Sequence, residues 1–327
     1  MKKRFLVGLL LGFSVFMGAL VSRAPIVSSN VWGITFAPQY MEEFGIPWKE
    51  AYNAMLSELD VRHIRIPIYW SRVEPKEGQF VFDDYDYQLQ KAEEVGARVV
   101  LGVGRKLPRW PECHEATWAT DLEVEKKKKL ILKYIEQVVN RYKDSQVLDA
   151  WQVENEPFLP FGGCSLYDAK FLDEEIALVR SLDSRHPVLV TDSGELSIWV
   201  SAARRGDIFG TTMYRTIYSK YVGSFTYPLF PSFFRFKRAL TELVVGKKPM
   251  IVIELQAEPW APGYIPHMTK EDQYKYFSPT TFQGIIQYAK RTGFDTYYLW
   301  GAEWWYWLKV HENDPEIWNI AKALFKQ

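Results

Sequence analysis

Short apolar runs and longer amphipathic segments alternate eight times along this chain, starting at residue 31. Each apolar run has the length of a β-strand that is buried on both faces, which is typical of parallel sheets. Each following segment repeats its apolar residues three or four positions apart, as a helix packed on one side does. The predicted strands are residues 31–37, 63–68, 98–103, 147–156, 187–191, 208–213, 249–254 and 296–300.

The order of these elements predicts the fold. The helix after the sixth strand, for example, places Phe236, Leu240 and Leu243 together on one side. Eight strand–helix units in about 300 residues are typical of one (β/α)₈ TIM barrel, an α/β fold. A doubly wound sheet is the alternative, but no glycine-rich phosphate loop follows the first strand. We therefore predict a single domain over residues 31–327.

The first 30 residues differ from the rest of the chain. A basic run at residues 2–4 precedes residues 5–21, which carry no charge. This pattern predicts a secretory signal peptide or a membrane anchor. Residues 22–25 make a poor cleavage site because they end in proline, so we favour an uncleaved anchor. With residues 1–30 as leader and linker, the domain is expected outside the cytoplasm, either secreted or attached to the cell membrane.

The amino-acid composition indicates which class of ligand the protein binds. Basic and acidic residues number 40 each, so the formal net charge is zero and nothing favours a nucleic acid. The 13 Trp, 19 Tyr and 20 Phe residues are typical of proteins with sugar-binding clefts, because sugar rings stack their apolar faces on aromatic side chains. The five histidines lack the spacing of metal ligands, so neither a catalytic metal nor a cofactor is expected.

Two glutamates end apolar runs. Glu156 closes the fourth run at an Asn-Glu-Pro turn, and Glu254 closes the seventh. A carboxylate at the end of a buried strand is costly unless it has a partner or a function. One such residue alone would be interpreted as a buried ion-pair partner. Two of them, on strands that end at the same face of a barrel, predict paired carboxylates in a cleft, as glycosidases have.

On these residues the chain resembles the glycoside hydrolase clan A superfamily, over almost all of the sequence after the leader. The segment Asn155-Glu156-Pro157 resembles the acid/base motif of that clan, and residues 253–257 resemble its strand-seven nucleophile segment. Residues 62–75, followed by 78–82, are similar to families 5 and 42. Residues 151–156 are closer to families 35 and 42.

The resemblance implies a retaining mechanism, with Glu254 as the nucleophile and Glu156 as the acid/base. It also implies that Arg65 and Tyr214 stabilise the charge of Glu254. Asn155 is expected to bind the sugar 2-hydroxyl, a contact that tightens in the transition state.

Three further residues are expected in the substrate-binding cleft. Trp300 resembles the tryptophan that forms the floor of the −1 sugar subsite. Trp110 is interpreted as a sugar platform or as loop packing, and Glu303 as a ligand of sugar hydroxyls or as an exposed loop acid. Thr212 departs from the family 5 pattern, which has a histidine at that place.

Cys113 and Cys164 are predicted to form a disulfide, because an even number of cysteines in an exported protein favours pairing. They follow the third and fourth strands, whose loops are neighbours at the catalytic face of a barrel. Two free buried thiols are the alternative.

The segment after the sixth strand, residues 215–234, is rich in Tyr and Phe. Pro228 and Pro231 are expected to break any regular element in it. We interpret the segment as a wall of aromatic sugar subsites, since it directly follows Tyr214. Contact with a bilayer or a partner, and packing against its own barrel, are the alternatives.

We therefore expect a retaining β-glycosidase that hydrolyses β-linked glucan, mannan or galactan oligo- or polysaccharides. A transglycosylase with the same residues and a non-catalytic glycan-binding barrel are the alternatives. The expected partner is a carbohydrate and not a nucleic acid. We expect a monomer, with membrane contact through the N-terminal segment if that segment is not cleaved.

Overall fold

The computed structural model describes residues 26, 30–164 and 168–326. Its strands are β1 (Val31–Thr35), β2 (His63–Pro67), β3 (Arg98–Val103), β4 (Leu148–Val153), β5 (Val188–Asp192), β6 (Ile208–Met213), β7 (Thr216–Ser219), β8 (Gly223–Thr226), β9 (Met250–Gln256) and β10 (Thr296–Trp300). All except β7 and β8 are parallel and close into a barrel in the order β1, β10, β9, β6, β5, β4, β3, β2. The predicted TIM barrel is confirmed.

The leader and linker were predicted over residues 1–30, and all of these residues except 26 and 30 lie outside the described residues. In the described part of the chain, none of the helices is both long enough and apolar enough to cross a membrane.

Helices follow the barrel strands and cover the outside of the barrel. They are α1 (Pro38–Glu43), α2 (Trp48–Ser57), α3 (Trp70–Val73), α4 (Asp83–Glu94), α5 (Val124–Tyr142), α6 (Ala169–Leu182), α7 (Val200–Ala203), α8 (Pro231–Val245), α9 (Lys270–Tyr276), α10 (Pro279–Ala289), α11 (Ala302–Val310) and α12 (Glu316–Phe325). Short 3₁₀ turns lie at Thr117–Ala119 and Ile265–His267.

The barrel interior is filled by side chains from five strands. A compact apolar layer inside the barrel consists of Val100, Ala150, Leu189, Ile253 and Tyr298. Tyr298 needs the space beside Gly33, because a Cβ atom at position 33 would lie 2.8 Å from its ring. Such packing makes the lower barrel a solid core, so a ligand can enter only at the carboxyl ends of the strands.

Two details of the chain differ from the predictions. Strand β4 ends at Val153, and not at Glu156, because Glu154 and Glu156 adopt positive φ angles of 59° and 42° that a strand does not allow. Residues 215–234 are not irregular, since Thr216–Ser219 and Gly223–Thr226 pair as an antiparallel hairpin. The two prolines lie beyond this hairpin, and Pro231 opens α8 in its first turn, where proline is favourable.

Helix α8 also turns an unexpected side toward the barrel. Its buried residues are Ser232, Phe234 and Thr241, whereas Leu240 and Leu243 are exposed. The helical spacing of the apolar residues was predicted correctly, but the stripe that it defines faces solvent.

Candidate active site

Glu254 lies in β9, near the carboxyl end of the barrel, and is buried. Arg65 Nη1 donates a hydrogen bond to one carboxylate oxygen at 2.6 Å, and the hydroxyl of Tyr214 donates to the other at 2.8 Å. One positive charge and two donors therefore compensate a negative charge at this position. The pKa of Tyr214 is raised well above its usual value by burial and by the charge of Glu254, so Tyr214 remains a donor.

Arg65 is fully buried and connects three strands of the barrel. Besides Glu254, its guanidinium donates to Gln152 Oε1 at 2.7 Å and to Asn155 Oδ1 at 2.8 Å. Fixing the amide oxygen of Asn155 in this way turns its Nδ2 away from Arg65. That buried nitrogen has no hydrogen-bond partner within the described residues, so the side-chain NH₂ group of Asn155 can donate to a ligand.

Glu156 lies in the turn after β4, and neighbouring strands hold it in place. Its backbone N–H donates to Thr191 Oγ1 at 2.9 Å, and Lys106 Nζ donates to its carbonyl oxygen at 2.8 Å. Thr212 Oγ1 donates to the carboxyl of Glu156 at 3.0 Å. Thr212 occupies the position at which the family 5 pattern has a histidine. Burial raises the pKa of Glu156 well above its usual range, and the negative charge of Glu254 raises it further. Hydrogen-bond donors compensate the charge of Glu254, whereas burial and a neighbouring negative charge favour the protonated form of Glu156.

A cavity of about 620 Å³ opens at this end of the barrel. Its lining is largely aromatic and comes from the loops that follow several strands. Tyr214, Tyr218, Trp110, Trp260 and Trp300 all contribute. Trp110 is 70% exposed and lies in edge-to-face contact with Phe161, whereas Trp300 is buried. Within the aromatic segment 215–234, Tyr218 lines the cavity, while Tyr221, in the turn of the hairpin, is 84% exposed.

Arg109 forms a cluster on the cavity wall that the sequence did not indicate. Its guanidinium carbon lies 3.9 Å from the ring centre of Tyr40 and 4.0 Å from that of Trp300. It also pairs with Glu258 at 2.5 Å and with Glu303 at 2.7 Å. Burial raises the pKa of Glu258 to about 7. Glu258 lines the cavity, so its carboxyl can meet a ligand.

Glu303 is fully buried at the start of α11. One of its oxygens accepts the backbone N–H of Ala37 at 2.8 Å, and the other accepts Arg109. Both oxygens therefore bind protein groups, and Glu303 orients Arg109 within the cluster.

Glu112 is a third carboxyl near the two central glutamates, and nothing in the sequence pattern marked it. It lines the cavity, and its carboxylate lies 3.7 Å from Lys106 Nζ. Burial raises the pKa of Glu112 to about 8, and the positive charge of Lys106 partly opposes this rise. When Glu112 is ionised, its negative charge raises the pKa of Glu156. The loop that carries Glu112 is irregular, so no periodicity could have indicated which way this side chain points.

The predicted disulfide is confirmed. Cys113 and Cys164 are bonded, with their Cα atoms 4.9 Å apart. The bridge joins the loops after β3 and β4, and Gly163 also donates its N–H to Pro111 O at 2.7 Å. It therefore holds together the loop that carries Glu112 and the loop that follows Glu156.

We expect the Cys113→Ala/Cys164→Ala variant to lose about 2–4 kcal/mol of unfolding free energy, because the bridge restricts the unfolded chain. Chemical denaturation of both proteins measures the difference. Thiol titration of denatured, non-reduced wild-type protein is the control, and it should find no reactive thiol. Equal stability of the two proteins would contradict the expectation.

The barrel and its two buried glutamates, one in the turn after β4 and one near the carboxyl end of β9, are typical of a class of protein, the glycoside hydrolase clan A superfamily. Within that class, the family model for cellulase, glycosyl hydrolase family 5, matches residues 29–212, more than half of the chain. The chain belongs to glycosyl hydrolase family 5, a family of O-glycosyl hydrolases.

Individual relatives are distant. A probable mannan endo-1,4-β-mannosidase A-1 from Aspergillus terreus is 29% identical over 119 residues, which are 33% of this chain and 30% of that protein. An exo-β-1,4-mannosidase from Opitutaceae bacterium strain TAV5 superposes with a TM-score of 0.59 at 14% identity, over 86% of this chain and 54% of the other. A β-galactosidase from Rahnella sp. R3 gives 0.59 at 13% identity, over 93% and 57%. At these identities the two structures support the fold alone, and this chain spans little more than half of each.

Proposed function

We propose that this protein is a retaining β-glycosidase in which Glu254 is the nucleophile and Glu156 the acid/base. The observation that carries the proposal is the contrast between the two carboxyls. Glu254 has a charged donor and a hydroxyl donor on its oxygens. Burial and the neighbouring charge keep the proton on Glu156. A retaining mechanism needs this pair, one carboxylate to attack and one acid to protonate.

In the first step, Glu254 forms a bond to the anomeric carbon while the bond to the glycosidic oxygen breaks. Glu156 gives its proton to that oxygen, and the leaving sugar departs as an alcohol. Glu254 is then neutral as an ester, so the pKa of Glu156 falls and Glu156 can act as a base. In the second step it takes a proton from water, the water oxygen bonds to the anomeric carbon, and the ester bond breaks.

Other side chains are assigned to binding. The leftover amide donor of Asn155 suits the sugar 2-hydroxyl, and Trp300 suits the face of the sugar ring in the −1 subsite. Trp110, exposed at the cavity mouth, is suited to stack on a sugar further from the reaction centre. Glu303 is assigned a positioning role, because it would act on a ligand only through Arg109.

The proposed substrates are β-linked oligo- or polysaccharides of glucose, mannose or galactose. Among these we favour β-mannosides, because the curated relative is named as a mannan endo-1,4-β-mannosidase. The aromatic cavity lining supports a saccharide ligand in general but does not distinguish the three sugars.

Aryl β-mannosides, β-glucosides and β-galactosides, together with mannan and glucan oligomers, provide the test. We expect turnover on at least one series, with the first product, seen by NMR, in the β configuration. Products longer than the substrate would identify a transglycosylase. An α product would exclude the retaining mechanism, and tight glycan binding without turnover would identify a binding barrel.

Glu112 provides a test through pH. Glu156 must be protonated to act as an acid, so the rate falls as pH rises through its pKa. Above its own pKa of about 8, Glu112 is negatively charged and raises the pKa of Glu156. In Glu112→Gln that charge is absent, so the alkaline limb of kcat/KM should move to lower pH. Thr212→Val should move the limb the opposite way, because the hydrogen bond from Thr212 lowers the pKa of Glu156.

The matched control for this pair is Glu115→Gln. Glu115 lies three positions from Glu112 but pairs with Arg105 and Lys127 instead of facing the catalytic carboxyls. Its pH profile should coincide with that of the wild type. Shifts of the same sign in Glu112→Gln and Thr212→Val would contradict the assignment of the alkaline limb to Glu156.

A further inference from the structure

The outer face of α8 is apolar. Leu240, Leu243 and Val244 are 48%, 83% and 58% exposed, and they lie three and four positions apart on one side of the helix. The side that packs on the barrel instead uses Phe234 and the short polar Thr241. A surface helix normally has the reverse arrangement, with its apolar side inward. An apolar stripe of this kind usually marks an interaction surface.

The apolar surface continues onto the neighbouring loop. Leu196 and Ile198, which follow β5, are 65% and 83% exposed. The next residue, Trp199, is buried and stacks on Phe234 of α8 with ring centres 6.3 Å apart. This contact places the two exposed residues beside the helix. We name the docking surface by five residues: Leu196, Ile198, Leu240, Leu243 and Val244.

Basic residues outnumber acidic ones in and just after α8, in a chain whose net charge is zero. Residues 235–248 contain five basic side chains, Arg235, Lys237, Arg238, Lys247 and Lys248, and one acidic side chain, Glu242. Arg238 pairs with Glu242 at 2.9 Å. Arg235 and Lys247 are both exposed, and no carboxylate within the described residues lies in salt-bridge range of either. Lys237 and Lys248 donate to backbone carbonyl groups, so Arg235 and Lys247 are the two cations that this segment leaves beside the apolar stripe.

We propose that this docking surface binds a lipid bilayer with anionic headgroups, with α8 lying parallel to the membrane. Leucine, isoleucine and valine side chains would enter the boundary between headgroups and acyl chains, while arginine and lysine meet lipid phosphates. A protein partner with an apolar patch alone would leave Arg235 and Lys247 unmatched. The proposal goes beyond the glycosidase activity and does not depend on it.

An environment-sensitive probe tests the proposal in the full chain. Because both native cysteines are bonded to each other, the introduced thiol of Leu243→Cys is the single site for an NBD label. The labelled protein is reconstituted in vesicles of phosphatidylcholine, with or without phosphatidylglycerol. On vesicles with phosphatidylglycerol, NBD emission should shift to the blue and rise by about twofold or more, as expected for insertion at the interface. Adding Arg235→Gln and Lys247→Gln, or raising the ionic strength, should reverse most of the change.

Val81→Cys carries the control label. Val81 is 46% exposed and follows β2, which lies opposite β6 in the strand order of the barrel. Its emission should not respond to lipid. Equal responses at positions 81 and 243, or equal responses with and without the anionic lipid, would overturn the proposal. So would a blue-shifted signal at position 243 before lipid is added, which would mean that another copy or another part of the chain covers the surface.

Discussion

Glu254→Ala is expected to lower kcat/KM on every substrate by on the order of 10⁴-fold or more, because no bond to the anomeric carbon can then form. Removing the side chain also leaves space beside Arg65 and the Tyr214 hydroxyl, which hold its carboxylate in the wild type. Azide can enter that space and attack from the same side as the lost carboxylate. It should restore part of the activity and produce an α-glycosyl azide from a β-glycoside, as identified by NMR.

The matched control is Glu258→Gln, which changes another cavity carboxyl four positions further along the chain. Glu258 pairs with Arg109, whereas the hydrogen-bond donors to Glu254 are Arg65 and Tyr214. This variant should bind substrate less well but should gain nothing from azide. If azide restored Glu258→Gln and not Glu254→Ala, the nucleophile would be assigned to the wrong residue.

The barrel could be predicted from the sequence because its strands are buried on both faces. Residues 98–103 and 208–213 are strands with the predicted bounds. Residues 99–103 contain no polar side chain, which favours a strand that is buried on both faces. The position of Glu156 was harder to predict, because a turn with positive φ angles separates it from the end of β4, and the apolar pattern alone does not show that turn.

The central site could be predicted only where a motif marks it. Glu156 and Glu254 stand out as charges at the ends of apolar runs, and Arg65 and Tyr214 followed from the clan resemblance. Glu303 was expected in the cleft, but nothing in the sequence marks Arg109 or the cluster that it forms with Glu258 and Glu303. Arg109 lies 149 positions before Glu258 and 194 positions before Glu303, and these residues meet only because the barrel closes.

Helix α8 shows a different limit. The spacing of apolar residues shows which side chains share a side of a helix, but it does not show which side packs against the barrel. Here Phe234 and the small residues Ser232 and Thr241 pack inward, and the more apolar stripe remains outside. Burial of apolar area alone would favour the opposite orientation. The structure therefore contains a surface whose orientation the sequence pattern did not reveal.

The loss of activity in Glu156→Ala is expected to depend on the leaving group of the substrate. A natural glycoside needs a proton on its departing oxygen, so kcat/KM should fall by about 10²–10⁴-fold without the acid. A dinitrophenyl glycoside departs as a stable anion and needs no proton, so formation of the glycosyl–enzyme intermediate should remain close to the wild-type rate. Stopped-flow release of dinitrophenolate and steady-state turnover of an oligosaccharide measure the two cases.

The pH profile of Glu156→Ala gives an independent check on the same residue. In the wild type, the pKa of Glu156 is raised by burial first and by Glu254 second, and activity declines as pH rises through it. The variant has no such group, so the alkaline limb should be absent from its residual turnover of the oligosaccharide, whose leaving oxygen needs a proton. Thr191→Ser retains a hydroxyl for the backbone N–H of Glu156 and should keep the wild-type limb. Equal losses on both substrates, or an unchanged alkaline limb in Glu156→Ala, would mean that another group supplies the proton.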